Sequence, residues 1–298
     1  MKRVSNLFLQ ITDFNNLRLA YLKALKGKRF SSSAIVFGAN ADIKLYQLKK
    51  DLESQTYKPG KYNQFKIYDP KERIITAACF EDRIVHHAVM NILEPVFEKQ
   101  FIFHTYACRK NKGTHKAVKY VCNKVKHYSY YLKLDVRKYF DSISHQKMKN
   151  LLCRIIKDKQ TLNLLLKIID SYSISEEKGL PIGNLTSQFF ANFYLSGLDH
   201  YVLEQLKVQG YVRYMDDIII FSNSKEELRE IFKHIKTFAL SFELIFKQPV
   251  INSCKNGVPF LGYLISNNKI KVLSKNRKRK MKKIKKLTYD YSKVSIDE

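Results

Sequence analysis

Glycine, proline, cysteine and long apolar runs are all scarce in this sequence. With 10 Gly and 6 Pro in 298 residues, no internal repeat and no long linker, the chain is predicted to be compact and helix-rich. The five cysteines are odd in number and lack C-x-x-C spacing, which argues against a disulfide framework or a zinc cluster and for reduced thiols in a cytoplasm. No stretch approaches about 18 apolar residues and the first apolar run is short, so we expect neither a membrane span nor a signal peptide.

Acidic residues are also few, and the resulting charge narrows the class of partner. Lys plus Arg number 54 against 27 Asp plus Glu, which gives a net charge of +27 and a pI near 9.7. A basic chain gains affinity for nucleic acid by neutralising phosphates and releasing their counterions. A surface that only keeps the chain soluble is the alternative, but solubility does not require so large an excess. Nucleic acid is therefore the expected partner.

The apolar pattern predicts a mixture of helices and strands in one large domain or in two or three subdomains. Helices are predicted at 12–27, 40–55, 82–94, most of 145–170, 185–207 and 225–240. Strands are predicted within 65–78, as a pair joined at 69–72, and at 130–136, 211–222, 243–252, 258–265 and 268–273.

Two adjacent carboxylates, Asp216 and Asp217, lie between apolar strands in YVRYMDDIIIFS, where they repel each other. In isolation the pair could serve only as a turn former. A third acid, Asp135, ends another strand in YLKLDV, and adjacent antiparallel strands would bring it to the same place. Converging carboxylates need cations, and Mg²⁺ prefers oxygen ligands. Two such ions about 3.5–4 Å apart activate an attacking hydroxyl and stabilise a leaving oxygen, which is the chemistry of phosphoryl transfer.

The segment 274–287, SKNRKRKMKKIKKL, holds nine Lys or Arg residues. Its apolar stripe consists of Met281, Ile284 and Leu287, at three-residue spacing. A solvated, frayed tail is one interpretation. A helix lying along a phosphate backbone is the other, and the total charge favours it. The residues expected to contact that backbone are Lys278, Arg279, Lys282 and Lys283.

Four ordered motifs carry a family resemblance. The strand ending at Asp135 is followed by GLPIGNLTSQFFANFYL, then YMDD, then VPFLGYLIS. In this order they resemble the reverse transcriptases, over about 65–266. The segments DRIVHHAV, ACRKNKGTH and above all IGNLTSQ are most similar to the reverse transcriptases of diversity-generating retroelements, bacterial and phage members of the group II intron-like superfamily. Most other reverse transcriptases have Gln-Gly and Ser-Pro where this chain has Ile182-Gly183 and Ser187-Gln188.

The resemblance implies an α+β, right-hand polymerase fold. Fingers would span 1–130 with part of 146–178, a palm with an antiparallel sheet packed on helices would span 131–266, and a short basic helical thumb would span 267–298. The implied reaction is DNA synthesis on a template-repeat RNA with two Mg²⁺ ions, yielding cDNA mutated at template adenines. The implied partners are that RNA, the RNA/cDNA hybrid and a small basic accessory variability protein, a pentameric helical barrel. No membrane is implied, and the expected location is the cytoplasm of a bacterial or phage-infected cell.

The resemblance also implies roles for single residues. The catalytic and metal-binding set would be Asp135, Asp216 and Asp217 with the Val136 carbonyl. The nucleotide-binding set would be Lys71, Arg73, Phe140, Ile182, Gln188 and Lys247. Among these, Lys71 and Arg73 would grip the triphosphate, Phe140 would exclude a ribose 2′-hydroxyl, and Lys247 would protonate the leaving pyrophosphate. The match at Lys247 is weakened because Ile245 replaces the usual Asn. The primer grip would be Phe260, Leu261, Gly262 and Tyr263.

Simpler alternatives accompany these roles. Phe140 and Ile182 could be packing residues, Lys71 and Arg73 could belong to a solvated turn, and 260–263 could be an ordinary hairpin. At the level of class, retron, CRISPR-associated and abortive-infection reverse transcriptases share the palm. A non-catalytic RNA-binding scaffold is a further alternative, against which the three intact acids argue.

Overall fold

The computed structural model describes residues 2–68, 72–267 and 269–294, with side chains up to 289. The chain forms two compact units that alternate along the sequence. The first unit comprises Met1–Phe103, Val136–Gln205 and Ile235–Phe246. The second unit comprises His104–Asp135, Leu206–His234 and Lys247–Glu298.

The helices and strands follow one another along the chain in a mixed order. They are α1 Phe8–Thr12, α2 Phe14–Leu25, α3 Ser32–Gly38, α4 Ala41–Glu53, β1 Asn63–Tyr68, β2 Glu72–Ala77, α5 Phe80–Glu98, α6 Thr114–His127, β3 Tyr130–Asp135, α7 Tyr139–Ser142, α8 His145–Ile155, α9 Lys159–Asp170, α10 Leu185–Tyr194, α11 Ser196–His200, β4 Gly210–Tyr214, β5 Asp217–Ser222, α12 Lys225–Ser241, β6 Val250–Ser253, β7 Val258–Phe260, β8 Tyr263–Ile265, β9 Ile270–Val272 and α13 Ser274–Val294.

Helix α5 forms the centre of the first unit, because apolar residues recur along it at helical spacing. Ile84 and Ala88 are fully buried, and α2 packs along the helix. Asp13 begins α2 by accepting hydrogen bonds from the backbone N–H groups of Asn15 and Asn16, at 2.9 and 3.2 Å. The Asn16 side chain then donates to the Ala88 carbonyl at 3.1 Å, which joins the two helices.

A buried carboxylate on α5 holds the loop that leads into β1. The Asp82 side chain accepts from the Tyr57 hydroxyl at 2.7 Å and from the Gly60 N–H at 2.8 Å. Burial raises the pKa of Tyr57 well above its usual value, and the neighbouring Asp82 acts in the same direction. The antiparallel hairpin of β1 and β2 therefore starts from a fixed base, with Asn63 opposite Ala77 and Tyr68 opposite Glu72.

The second unit is built on a four-stranded antiparallel sheet in the order β4-β5-β3-β6. Strand β5 is flanked by β4 and β3, and its apolar residues 218–221 are almost completely buried. Burial of both strand faces explains why this run is continuously apolar rather than alternating. At the edge, Thr105 forms a parallel bridge with Arg213 on β4, which covers the backbone of that strand.

Helix α6 and a smaller sheet, β7-β8-β9, complete the core of the second unit. The apolar face of α6 contributes Ala117, Val118, Val121 and Val125, which cluster with residues of both sheets, among them Tyr131, Val212, Ile219, Phe221, Val258, Phe260 and Ile265. This core supports the strands that end at the acidic residues.

The predicted mixture of helices and strands is confirmed, but two long predicted helices are interrupted. The predicted helix within 145–170 is two helices, because Asp158 caps α9 by accepting from the Thr161 N–H at 3.2 Å. The predicted helix 185–207 ends its regular part at Tyr194, continues as α11, and closes with a π-helical turn at Tyr201–Gln205. Helices α1, α3, α6 and α7 were not predicted.

The predicted strand 243–252 is wrong over most of its length, because the regular strand is β6, Val250–Ser253. Phe246 forms an isolated bridge with Val136 and does not belong to a regular strand. The predicted junction at 69–72 falls mainly on 69–71, which lie outside the described residues. Within the described part of the chain, no helix combines the length and the apolar character needed to cross a bilayer.

Candidate active site

Strand pairing in the second unit brings two of the predicted acids face to face. Asp135 is the last residue of β3 and lies opposite Asp217, the first residue of β5. Asp216 precedes Asp217 in the turn that connects β4 to β5. Like charges directly opposite each other destabilise a sheet. The position therefore requires positive charge nearby.

A buried arginine holds the turn that presents these acids. Met215 has a left-handed backbone, with φ of +57°, which is unusual for a residue other than glycine. The Arg213 side chain is fully buried, and its guanidinium donates to the Met215 carbonyl at 3.0 Å. The Arg213 backbone accepts from the Tyr106 N–H and donates to the His104 carbonyl, both at 3.0 Å. The turn is thus fixed by a residue whose own main chain is fixed.

Two lysines supply positive charge to the acids. Lys247 Nζ lies 2.6 Å from Asp135 Oδ1, and the Lys247 N–H donates to the Asp135 carbonyl at 2.9 Å. Lys133 Nζ lies 3.1 Å from Asp217 Oδ1 and donates to Asp217 Oδ2 at 3.1 Å. Burial raises the pKa of Asp217 to about 6, Lys133 opposes that shift, and Asp216 and Asp135 reinforce it.

The acid cluster fits a divalent ion that is shared with a substrate. Asp135 Oδ1 and Asp217 Oδ1 are buried and accept no well-directed hydrogen bond, so their lysine contacts are ion pairs of poor directionality. Among the described residues, no three His, Cys, Asp or Glu side chains group closely enough to hold a metal by themselves. Mg²⁺ typically takes one or two carboxylates and completes its shell with water and substrate phosphates. Two hard oxygen donors match that pattern.

In the first unit, backbone hydrogen bonds hold two of the predicted nucleotide-binding positions, Phe140 and Ile182. The Leu180 N–H donates to the Phe140 carbonyl at 2.9 Å, and the Thr76 N–H on β2 donates to the Ile182 carbonyl at 2.9 Å. Phe140 and Ile182 are half-buried, whereas Arg73 on β2 is exposed. Lys71 lies outside the described residues.

Gly183 explains the close approach of the segment after Ile182 to the hairpin. Its φ is +123°, and a Cβ at this position would lie 2.9 Å from Ile75 Cγ2 on β2. The next residue, Asn184, accepts from the Ala78 N–H at 3.1 Å. Glycine is thus required here both for its conformation and for space.

Gln188 lines a cavity of about 230 Å³ beside the start of α10. The other lining residues are Arg83, His86, His87, Gly183, Asn184 and Leu185. Burial lowers the pKa of His86 and of His87 to about 4 in each case, so both rings are neutral at pH 7. The cavity wall is therefore polar, with Arg83 as its cationic side chain.

The predicted primer-grip residues form the tight turn between β7 and β8. Leu261 and Gly262 both have positive φ, +47° and +87°, as the two central residues of a type I′ turn do. The same turn and helix α13 line a cavity of about 340 Å³, to which α13 contributes Asn276, Arg279, Lys280 and Lys283. Lys278 and Lys282 are exposed and are not part of this lining.

The roles of Lys133 and Arg213 at the site were not predicted from the sequence. Lys133 stands two residues before Asp135 within a buried strand, and Arg213 stands between the apolar residues of β4. A charged residue at a position that the strand pattern assigns to the interior is the signal that could have identified both, because such charges are rarely buried without a partner.

The fold is similar to solved telomerase structures. Apo telomerase from Candida tropicalis, truncated from its C-terminal domain, aligns with a TM-score of 0.56 at 13% identity, covering 73% of this chain and 55% of that one. Telomerase from Candida albicans in complex with a fragment of telomeric RNA aligns with a TM-score of 0.56 at 11% identity, covering 74% and 47%. The mixed fold is consistent with that of polymerases.

The chain belongs to the reverse transcriptase (RNA-dependent DNA polymerase) family, whose model matches residues 58–265. It is 24% identical to the putative COX1/OXI3 intron 2 protein of Saccharomyces cerevisiae, over 85% of this chain and 38% of the relative. It is 24% identical to YkfC of Escherichia coli, over 76% and 72%. It is 26% identical to the group II intron-encoded protein LtrA of Lactococcus lactis, over 57% and 30%. The chain spans about two fifths of the length of the yeast intron proteins.

Proposed function

We propose that this chain is an RNA-directed DNA polymerase whose reaction occurs at the acids of the second unit. The observation that carries the proposal is the cross-strand pair of Asp135 and Asp217 with Asp216 in the adjoining turn, in a chain of the reverse transcriptase family. Reverse transcriptase domains generally use divalent metal ions. The proposed reaction is attack of a primer 3′-hydroxyl on the α-phosphate of a dNTP, with release of pyrophosphate.

The protein groups proposed for this reaction are oxygen donors and cations. Asp135 and Asp216, with the Val136 carbonyl, would hold two Mg²⁺ ions, which supply charge to the attacking and leaving oxygens. On either side of Val136, the Lys247 N–H donates to the Asp135 carbonyl and the Arg137 N–H donates to the Ile245 carbonyl. Neither of these two bonds uses the Val136 carbonyl. Asp217 completes the acidic pair. Lys247, already 2.6 Å from Asp135, is the proposed donor to the leaving pyrophosphate.

We propose further that Phe140, Ile182, Gln188 and Arg73 in the first unit contact the incoming nucleotide, with Lys71. The backbone bonds that tie Phe140 and Ile182 to neighbouring segments support this role, because a selective site has to hold its residues rigidly. Phe140 would exclude the ribose 2′-hydroxyl, and Arg73 would contact the triphosphate.

The proposed nucleic-acid contacts lie in the second unit. The Phe260–Tyr263 turn would support the primer terminus, and the basic residues of α13 would follow its phosphates. The cavity shared by the turn and α13 supports this proposal, since Arg279, Lys280 and Lys283 place positive charge beside the turn.

The proposed class is the reverse transcriptase of a diversity-generating retroelement, which makes adenine-mutated cDNA from a template-repeat RNA. The motif IGNLTSQ, with Ile182 and Gln188, is the feature that supports this class over others. The proposed partner is a small basic accessory variability protein.

An intron-encoded reverse transcriptase is the second candidate, and a specific observation favours it. The matched relatives include proteins whose names place them in introns, among them the COX1/OXI3 intron proteins and LtrA. A group II intron-type enzyme would copy its own intron RNA rather than a template repeat.

One experiment tests the reaction. Asp216→Ala should abolish dNTP incorporation and leave RNA binding nearly unchanged, because binding depends on phosphate contacts elsewhere. Incorporation by the Asp216→Ala protein at the wild-type rate would refute the proposed site. Asp135→Ala should behave in the same way.

A second experiment separates the two classes. cDNA made from a candidate template-repeat RNA is sequenced, with and without a candidate small accessory protein, and cDNA made from a candidate intron RNA is sequenced beside it. Substitutions concentrated at template adenines support the retroelement enzyme. Faithful cDNA from a structured intron RNA supports the intron-type enzyme.

A further inference from the structure

Lys133 contacts both Asp217 and strand β7 within the second unit. Its Nζ lies 3.1 Å from each Asp217 carboxylate oxygen and donates to the Pro259 carbonyl at 2.8 Å. The same ammonium lies 5.9 Å from the centre of the Phe260 ring. Because side chains alternate along a strand, Lys133 shares its face of β3 with Asp135. One cation therefore joins the acid pair to the strand that enters the 260–263 turn.

The contacts of Lys133 restrain the main chain at Pro259, in addition to balancing the negative charge of Asp217. Pro259 accepts through its backbone carbonyl, one residue before the buried Phe260 ring. Pro259 lies opposite Leu264 in the β7–β8 hairpin, so a restraint on Pro259 is a restraint on the hairpin. The Lys133 side chain is about three-quarters buried, with 24% exposed, and a charge-assisted bond in such surroundings is stronger than on an open surface.

We propose that Lys133 is a positioning residue for nucleotide addition, which keeps the Phe260–Tyr263 hairpin in register with the Asp135–Asp217 pair. The inference rests on the proposed site of reaction and on the proposed contact of the hairpin with the primer terminus. In-line attack requires reacting atoms about 3–3.5 Å apart, and a misplacement of about 1 Å can cost about 100-fold in rate. A loosened hairpin would therefore lower the rate of addition without releasing the primer.

The competing explanation is that Lys133 only neutralises Asp217. In that case a divalent ion at the carboxylates would take over its role, and saturating Mg²⁺ would make the lysine dispensable. The two explanations predict different kcat values for a Lys133 variant at saturating Mg²⁺. The experiment therefore measures kcat under that condition.

Single-nucleotide extension of a primer on an RNA template is measured for wild type, Lys133→Met and Lys133→Arg. Lys133→Met retains length and removes the donors, whereas Lys133→Arg retains donors for both partners. We expect Lys133→Met to lower kcat about 10- to 100-fold with KM for primer–template within about threefold, and Lys133→Arg to recover kcat to within about fivefold of wild type. Lys225→Met is the matched control, because Lys225 contacts β3 through the Tyr130 ring at 5.1 Å and should leave kcat unchanged.

A second readout follows the primer terminus without chemistry. A dideoxy-terminated primer with 2-aminopurine at its end is bound to each protein, and its fluorescence reports how well the terminal base is held. Lys133→Met should bind this primer with wild-type affinity but hold its end less rigidly. Should Lys133→Met unfold at the assay temperature, Lys133→Gln, which removes the charge and retains one amide donor, replaces it with the same expected direction.

Wild-type kcat for Lys133→Met at saturating Mg²⁺ would overturn the inference. A loss confined to KM, or an Arg variant as impaired as the Met variant, would overturn it as well. Asp216→Ala is run in the same assay so that the two proposals fail separately. Extension by Asp216→Ala refutes the proposed reaction site, whereas inactive Asp216→Ala beside normal Lys133→Met refutes only the role of Lys133.

Discussion

Asp217 is the side chain at which burial and charge conflict most directly. Its pKa is raised to about 6 by burial, with Asp216 and Asp135 adding to the shift and Lys133 opposing it. Water cannot solvate this carboxylate fully, so its negative charge depends on nearby cations. Lys133 and a divalent ion at the neighbouring acids would therefore both favour the charged form of Asp217, and the lysine contact need not be lost when the ion binds.

At Ile182, a change of side chain tests whether the proposed contact with the incoming nucleotide also controls fidelity. Its carbonyl is held by the Thr76 N–H, so substitution should alter the side chain and leave the backbone in place. Isoleucine offers an apolar wall, whereas glutamine can donate and accept hydrogen bonds near the incoming nucleotide. We expect Ile182→Gln to make full-length cDNA with about tenfold fewer errors opposite template adenine, which corresponds to about 1.4 kcal/mol of added discrimination.

Deep sequencing of cDNA from the two proteins on one RNA template measures this difference. Ile182→Val is the control, because it keeps a β-branched apolar wall and should keep the wild-type error rate. Equal adenine error rates for wild type and Ile182→Gln would show that the residue only packs.

Some site residues could be predicted from the sequence and others could not. Asp135, Asp216 and Asp217 stand at the ends of apolar strands, and such local patterns remain visible without a structure. Lys133 acts on the Pro259 carbonyl, which is 126 residues away and belongs to a peptide group that any residue could provide. Because the partner of the Lys133 side chain is a distant backbone group, no residue type at position 259 indicates the contact, and the sequence alone does not reveal it.

Whether a segment is a helix or a strand was easier to predict from the sequence than the point at which that helix or strand is interrupted. The apolar periodicity that predicted helices at 145–170 and 185–207 is real, but it does not report where a turn of helix is broken. Asp158 ends the first run by capping α9, and it also accepts from the Leu7 and Phe8 N–H groups at 2.9 Å each. The bonds to Leu7 and Phe8 connect Asp158 to a segment about 150 residues away in the sequence, which is a tertiary contact. The strand expected at 243–252 failed for a related reason, since β6 pairs with β3 only from Val250 onward.

Helix α13 presents two pairs of basic residues with different surroundings. Arg279 and Lys283 line the cavity beside the 260–263 turn, whereas Lys278 and Lys282 lie outside that lining. If the cavity cradles the primer backbone, Arg279→Gln with Lys283→Gln should weaken primer–template binding and lower the salt slope by about one unit per lost phosphate contact. Lys278→Gln with Lys282→Gln removes the same charge and should change the slope less.

Binding is measured by fluorescence anisotropy across a series of salt concentrations. Identical slopes for the two double variants would show that only net charge matters. Slopes equal to that of wild type would show that the helix does not contact the backbone at all.

For the molecule as a whole, buried histidines predict how stability depends on pH. His86 is fully buried, and burial lowers its pKa to about 4, with His87 and Arg83 lowering it further and Asp82 opposing them. The unfolded chain binds the proton below about pH 6.5, whereas the folded chain does not until about pH 4. Stability should therefore fall as the pH is lowered through this window, by about 3 kcal/mol from His86 alone.

Urea unfolding at pH 7 and pH 5 measures the part of this loss that falls above pH 5, about 2 kcal/mol, and His86→Gln is the comparison. The variant should lose less stability than wild type between the two pH values, because every other titrating group is shared. An equal loss in both proteins would mean that His86 is protonated in the folded chain as readily as in the unfolded chain.

The alternation of the two units along the chain has a consequence for inheritance. Each unit draws on three separate stretches, with changes at 103/104, 135/136, 205/206, 234/235 and 246/247. A module of contiguous sequence can be exchanged between genes by one or two crossovers, but neither of these units can be transferred whole in that way. The stretch up to residue 103 lies wholly in the first unit, and the stretch from residue 247 onward, with β6 to β9 and α13, lies wholly in the second. A single crossover between residues 104 and 246 therefore divides both units, and the new combination of segments must still pack together in each of them.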